Sequence, residues 1–259
     1  MIRSLHTAST GMEAQQMNID TIANNLANVN TTSFKRSRAN FHDLLYQNIR
    51  APGQNSTTGT VVPNGIQVGS GVRLSSVDKM FKQGAIQVTD NKLDLMIEGD
   101  GFFRIQRDDG QIAYTRDGHF SKDANGRLVT SEGFPVVPEI IIPPGAQVVT
   151  FGTDGTVSVR LDNQDQEIGQ LQIANFINPT GLVSTGGNYY VPSRASGDPM
   201  VGTPNLDGMG RIAQGQLETS NVNIVEEMVN MITGQRAYEI NSKVIQTGDQ
   251  MLQATNNIR

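Results

Sequence analysis

Three histidines, His6, His42 and His119, stand far apart with no H-x-x-H or H-E-x-x-H spacing. Metal ligation and triad chemistry need such side chains to converge with partners, so surface or interface placement is the expectation for all three. The chain has no cysteine, which removes disulfides, thiol nucleophiles and cysteine metal sites. Neither G-x-S-x-G nor a Walker sequence occurs. Gly208-Met209-Gly210-Arg211-Ile212-Ala213 fits the dinucleotide pattern G-x-G-x-x-A, but it follows Thr203-Pro204-Asn205-Leu206-Asp207 rather than a strand. It therefore reads as a loop. Asp123, Asn125, Gly126 and Glu132 match positions 3, 5, 6 and 12 of a calcium loop, yet Ser121 stands where the first carboxylate is needed. A hairpin turn at Ala124-Asn125-Gly126 accounts for the same residues. Asp109-Gly110, Asp117-Gly118 and Asp154-Gly155 read as turns with positive φ, not as catalytic carboxylates. The expectation is no catalytic residue, no cofactor and no metal.

The elements that would position any chemistry are more informative than the chemistry. Leu5, Met12, Ile19 and Leu26 recur every seven residues, and Ala8, Gln15, Ile22 and Val29 fill the intervening heptad positions. This predicts a helix from about residue 4 to 30, roughly 39 Å long. Between Ser4 and Phe34 the only full charges are Glu13 and Asp20. Water-facing surfaces are usually richer in charge, so faces beyond the stripe are expected to pack on protein. A second stripe, Val225, Val229, Ile232, Arg236, Ile240, Val244, Met251 and Ile258, predicts a C-terminal helix capped by Asn223. Stepping through 225, 229, 232, 236, 240, 244, 247, 251, 254 and 258, the stripe advances 33 residues in nine steps, and this mean of about 3.67 is nearer a hendecad than a heptad. Arg236 interrupts it and is expected to snorkel or to pair at an interface.

Between the stripes, residues 51–72 carry no charge and are rich in Gly, Pro, Ser, Thr and Asn. They suit a linker or an extended hairpin in which Val61, Val62, Ile66 and Val68 flank Pro63-Asn64-Gly65. From about Ser75 to Gln216 the pattern changes to period two. Gly101, Gly110, Gly118, Gly126 and Gly133 punctuate short strand-like runs. The expected fold class is α+β: long N- and C-terminal helices paired antiparallel as a coiled-coil-like domain, an all-β middle domain and an extended hairpin insertion. The expected segments are 1–34 (N-terminal helix), 35–74 (connector with the hairpin), 75–217 (β domain) and 218–259 (C-terminal helix).

The formal net charge of -5 argues against nucleic acid as a partner. No stretch reaches the roughly 18 apolar residues of a membrane span. The first residues, Met1-Ile2-Arg3-Ser4-Leu5-His6-Thr7, contain no apolar run of the kind a cleaved secretory signal needs.

The segment Ala23-Asn24-Asn25-Leu26-Ala27-Asn28-Val29-Asn30-Thr31-Thr32-Ser33-Phe34-Lys35-Arg36 resembles the N-terminal signature of the bacterial flagellar rod and hook proteins. Glu218-Thr219-Ser220-Asn221-Val222-Asn223 and the residues to Val229 resemble their C-terminal one, as does Gln235-Arg236-Ala237-Tyr238-Glu239-Ile240-Asn241-Ser242-Lys243. Gly99-Asp100-Gly101-Phe102-Phe103 and Tyr114-Thr115-Arg116-Asp117-Gly118 match in the middle. One departure is Ser33, where the family usually has glycine; a positive φ there would suit serine less well. Length and the uncharged insertion after Tyr46 look most like the distal rod members.

The resemblance implies a hollow helical rod with the terminal helices in an inner tube. It also implies export through the flagellar type III apparatus without a cleaved signal, and a drive shaft spanning the periplasm. The implied partners are further copies of the chain, the proximal rod proteins, the hook protein and the P-ring and L-ring as bushing. The implied assembly residues are Leu5, Met12, Ile19, Ile22, Leu26, Val29, Val225, Val229, Ile232, Arg236, Ile240, Val244 and Met251. The motif residues are Asn25, Leu26, Asn28, Thr31, Phe34, Ser220, Asn221, Val222 and Asn223. A proximal rod or hook subunit is the nearest alternative. An enzyme acting on the cell wall is a rival of another class, and so is a coiled-coil module forming a small closed oligomer.

Overall fold

The computed structural model describes residues 2–50, 64–161 and 164–257. Val61, Val62 and Pro63 of the expected hairpin tip lie outside the described residues, as does Ile258 at the end of the second stripe. The class is α+β: two long helices, α1 (Ile2–Ala27) and α2 (Ile224–Asn257), with strands between them in sequence. The chain divides into two compact units.

The first unit is drawn from Met1–Ala27, Ser37–Lys79 and Asn223–Arg259. Its strands are β1 (Ser37–Asp43), β2 (Tyr46–Arg50), β3 (Ile66–Gly69) and β4 (Val72–Lys79). β1 pairs antiparallel with β4 from Ser37↔Lys79 to Asp43↔Val72, with an irregularity between Asn40 and Phe41. β2 pairs antiparallel with β3, Tyr46 opposite Gly69. The strand just before the uncharged segment is therefore hydrogen-bonded to a strand near its end.

α1 stops at Ala27, short of the expected end. The Thr31 N–H instead reaches the Asn28 carbonyl at 3.2 Å, and the Thr31 hydroxyl reaches Asn28 Oδ1. These short polar side chains compete with the helix for backbone partners. Val29, expected as the last seam residue, thus lies beyond the helix. α1 meets α2 through small residues. A Cβ added at Gly248 would come within 2.7 Å of Leu5 Cδ2, and one at Gly234 within 3.2 Å of Ile19 Cγ1. At Gly11 it would meet the Asn241 amide at 2.9 Å. The Asn223 carboxamide caps α2, accepting from the Val225 N–H at 3.0 Å and the Glu226 N–H at 3.4 Å.

The second unit comprises Asn28–Arg36 and Met80–Val222. Its first strands are β5 (Ile86–Val88), β6 (Leu95–Glu98), β7 (Phe102–Gln106), β8 (Ile112–Thr115), β9 (Phe120–Lys122) and β10 (Leu128–Thr130). β11 (Val148–Phe151), β12 (Thr156–Leu161), β13 (Gln164–Gln170), β14 (Ile173–Asn175) and β15 (Val183–Gly186) follow. β16 (Tyr189–Val191), β17 (Met200–Gly202), β18 (Arg211–Gln214) and β19 (Gln216–Glu218) complete it. The largest sheet runs β15-β16-β8-β7-β14-β17, antiparallel throughout.

Period two sorts this sheet's side chains onto two faces. Phe103, Ile105, Ala113, Ile173 and Tyr189 join one core with Leu95, Phe120 and Leu128. Their neighbours Phe102, Tyr114, Ala174 and Tyr190 join a second with Phe176 and Leu182. Edge-to-face ring pairs occur on both sides: Phe103–Phe120 at 5.1 Å on the first, Phe102–Phe176 at 5.7 Å and Tyr114–Phe176 at 4.9 Å on the second. The expected Asn125-Gly126 turn joins β9 to β10, with φ +82° at Gly126.

Gly118 departs from the turn reading. Gly110, Gly126 and Gly155 have positive φ, as their Asp/Asn-Gly pairs suggest, but Gly118 is not among the positive-φ residues. Glycine is needed there for clearance: its carbonyl accepts from the Leu95 N–H at 3.0 Å, and an added Cβ would run into the Leu95 carbonyl oxygen. Gly118→Ala is expected to destabilise the chain by about 2 kcal/mol or more, because backbone atoms must move apart. Gly133→Ala, with φ +93° and open space around it, should cost only the left-handed penalty of about 1–2 kcal/mol. Denaturant titration of the two variants checks the order.

Candidate assembly surface and the buried ion-paired junction

Two features stand out, one in each unit. In the second unit, the stretch after α1 and the stretch before α2 meet around three buried charges. Lys35, Arg116 and Glu218 are 0 %, 4 % and 2 % exposed. Lys35 Nζ donates to Glu218 Oε1 at 2.6 Å and to the Lys82 carbonyl at 2.9 Å. Arg116 Nε donates to Glu218 Oε2 at 3.0 Å. The other guanidinium nitrogens donate to the carbonyls of Gly101 at 2.9 Å, Gly99 at 2.9 Å and Ile97 at 3.2 Å. The Gly84 N–H completes the carboxylate's shell at 2.7 Å. The guanidinium also lies 5.9 Å from the centroid of the Phe102 ring.

Two cations thus share one carboxylate, and backbone carbonyls satisfy what remains of them. Burial and the neighbouring Arg116 together push the Lys35 ammonium down to about 8, against the opposing pull of Glu218. The Glu218 carboxyl is itself held below its ordinary value: burial would raise it, but Arg116 and Lys35 outweigh that.

Neutral hydrogen bonds extend the junction. The Glu218 carbonyl accepts from the Ser33 N–H at 2.8 Å, and Ser33 Oγ donates to the Arg116 carbonyl at 2.8 Å. Asn221 accepts from the Arg36 N–H at 2.7 Å and donates to the carbonyls of Met80 and Lys82 at 2.8 and 2.9 Å. Phe34, Ser220 and Val222 are buried beside these groups in sequence. Ser33 has φ +55°, so the one departure from the family pattern does sit in the left-handed region. Ser33→Gly relieves that strain and loses one buried hydrogen bond, so it should shift stability by less than about 1 kcal/mol. Ser33→Val, branched at Cβ and without the hydroxyl, should cost about 2 kcal/mol or more. Thermal denaturation distinguishes the two.

In the first unit, Asn25 is the buried motif residue. Its amide nitrogen donates to the Ser37 carbonyl at 2.8 Å and to Glu227 at 3.2 Å, while its oxygen accepts from the Ser37 N–H at 2.8 Å. The sequence-predicted stripes behave differently from one another. On α1, Ala8 and Ile22 are buried, and Leu5, Met12, Ile19 and Leu26 are half-buried. On α2 the stripe is open: Val225 is 71 % exposed, Ile232 56 %, Ile240 61 % and Met251 51 %, with Val229 and Val244 also exposed. Gly234 and Gly248, not the stripe, meet α1. Arg236 lies exposed within the stripe, paired with Glu239 one turn on at 3.1 Å.

The histidines make no cluster. Among the described residues no group of three or more His, Cys, Asp or Glu could hold a metal ion. His119 Nδ1 faces Asp94 Oδ1 at 3.0 Å. Asp123 of the calcium-like segment engages the Arg127 guanidinium at 3.0 Å and the Ala124 N–H at 2.6 Å.

Comparison with known proteins decides the family. Over 255 residues, 98 % of both chains, the sequence is 54 % identical to the flagellar basal-body rod protein FlgG of Buchnera aphidicola subsp. Schizaphis graminum. The chain belongs to the FlgG family of flagellar basal-body rod proteins. Identity is 50 % to the FlgG of Borreliella burgdorferi, with 100 % of this chain and 99 % of that one covered, and 40 % to the FlgG of Bacillus subtilis over the whole of both. Three family models match along the chain: flagella basal body rod protein at residues 5–35, flagellar hook protein FlgE/F/G D1 domain at 96–159, and flagellar basal body rod FlgEFG protein C-terminal at 213–258.

Each match of this FlgG-family chain contributes one charge to the junction: Lys35 from the first, Arg116 from the second, Glu218 from the third. Sequence reasoning quoted all three residues within motifs but assigned none of them a role. The available signal was a lysine closing a nearly uncharged N-terminal stretch.

Proposed function

We infer that this chain is a structural subunit of the distal rod, self-assembling into a hollow helical shaft that carries torque from motor to hook and forms part of the export channel. The observation that carries the reading is the open apolar stripe of α2, which the α1 contact leaves uncovered. An isolated soluble chain gains nothing from such a row; a polymer buries it. The contacts Leu5–Gly248, Gly11–Asn241 and Ile19–Gly234 support an antiparallel, coiled-coil-like pair as the unit added to the tube wall. The β2–β3 ladder supports an extended hairpin at residues 51–72, suited to bridging neighbouring copies.

In this reading torque passes through packing, and no catalytic step is involved. The partners are other copies, the proximal rod and hook proteins, and the P-ring and L-ring around the shaft. The chain reaches the periplasm-spanning basal body through the flagellar type III apparatus without a cleaved signal. The test is complementation of a bacterium lacking its own FlgG. Isolated basal bodies are expected to contain the full-length chain and a complete rod. Rods that form without it, or cells that accumulate it outside the basal body and stay rodless, would overturn the reading.

A further inference from the structure

A groove of ≈ 390 Å³ in the first unit runs beside α1, on a side not used by α2. Its floor and walls are mostly apolar, with Ala14 and Met17 on α1 and Leu44 and Leu74 across from them. Two charges line it, Glu13 on α1 and Arg73 on β4, and no ion pair joins either to another described residue within 4.0 Å. The exposed stripe of α2 also carries one charge of each sign among apolar side chains: Ile232 and Ile240 flank Arg236, and Glu239 lies beside it. Each isoleucine lies four positions from Arg236, about 6 Å along a helix. Met17 lies at the same spacing from Glu13 on α1.

We propose that the α2 stripe of one copy docks in the α1–β4 groove of the next, with Arg236 pairing to Glu13 and Glu239 to Arg73. This rests on the rod-subunit reading. A contact between two different surfaces of the same chain does not close on itself and propagates an open helix. The apolar residues supply area, and the two crossed ion pairs, screened from water by them, fix the register. On docking, Arg236 and Glu239 exchange their exposed pairing along one helix for partners in the groove.

The chain has no cysteine, so a pair of introduced thiols reports this contact alone. Glu13→Cys with Arg236→Cys is produced in cells lacking their own FlgG, and isolated basal bodies are oxidised. The double variant is expected to give a ladder of covalent multimers, which a link within one chain cannot produce, and each single variant none. Charge exchange provides a second measurement: Glu13→Arg and Arg236→Glu should each lower rod assembly about tenfold or more, and the two together should restore most of it. Basal bodies that contain the chain but give no ladder, and a charge exchange that restores nothing, overturn the docking while leaving the rod reading intact. Wild-type chain missing from basal bodies overturns the rod reading itself.

Discussion

Glu218→Gln is expected to destabilise the second unit by about 3–5 kcal/mol, because it leaves two buried cations facing a neutral group. Glutamine can still accept one hydrogen bond from Lys35 or Arg116, so the loss is of charge rather than of shape. Lys35 and Arg116 are each almost fully buried, and neither can reach water without opening the junction. The pH dependence provides a second, independent signature. Lys35 is held at about 8 in the fold, against an ordinary value of 10.5. Between these two values the unfolded chain binds a proton that the folded chain has released, so Lys35 makes stability rise as pH increases from about 8 to about 10.5. In Glu218→Gln the group that favours the charged ammonium is gone, and the rise should begin at lower pH. Lys35→Met should remove its share of the rise, leaving that of Lys79, whose ammonium burial also holds below its ordinary value. A denaturant midpoint unchanged by Glu218→Gln, or a wild-type stability flat across that pH range, would contradict the account.

The junction was the least legible part of the sequence, for a physical reason. Lys35 and Glu218 lie 183 positions apart and Arg116 and Glu218 lie 102 apart. Local period and propensity carry no information about such pairs. The β unit was legible because the split between its two cores follows residue parity: Phe103 and Phe102, or Tyr189 and Tyr190, fall on opposite faces. The turn glycines were legible where Asp or Asn precedes a positive φ, and misleading at Gly118, where a carbonyl from a distant strand sets the requirement. α2 is instructive in another way. Its apolar stripe was visible, but the face that meets α1 carries Gly234, Asn241 and Gly248, which a hydrophobicity pattern discounts. Small residues let two helices approach closely, so the row with the least apolar area makes the contact within the chain. The most apolar row of α2 is thereby left exposed.

That division predicts two opposite outcomes from substitutions on one helix. Ile232→Glu and Ile240→Glu should abolish incorporation into rods while leaving the isolated chain's stability within about 0.5 kcal/mol of wild type, the usual range for surface changes. Both side chains are more than half exposed, at 56 % and 61 %, so a carboxylate there is solvated in the monomer. In the polymer it would be buried against apolar neighbours, at a cost of several kcal/mol. Each 1.4 kcal/mol is about tenfold in an association constant, and the defect repeats at every subunit added. Gly248→Leu should do the reverse of this in the monomer. Its side chain would enter space held by Leu5, so α1 and α2 must separate and thermal stability should fall before any assembly begins. The two measurements are the melting temperature of purified monomer and the amount of chain in isolated basal bodies. Rods forming at wild-type level from Ile232→Glu would show that the open stripe of α2 is not an assembly surface.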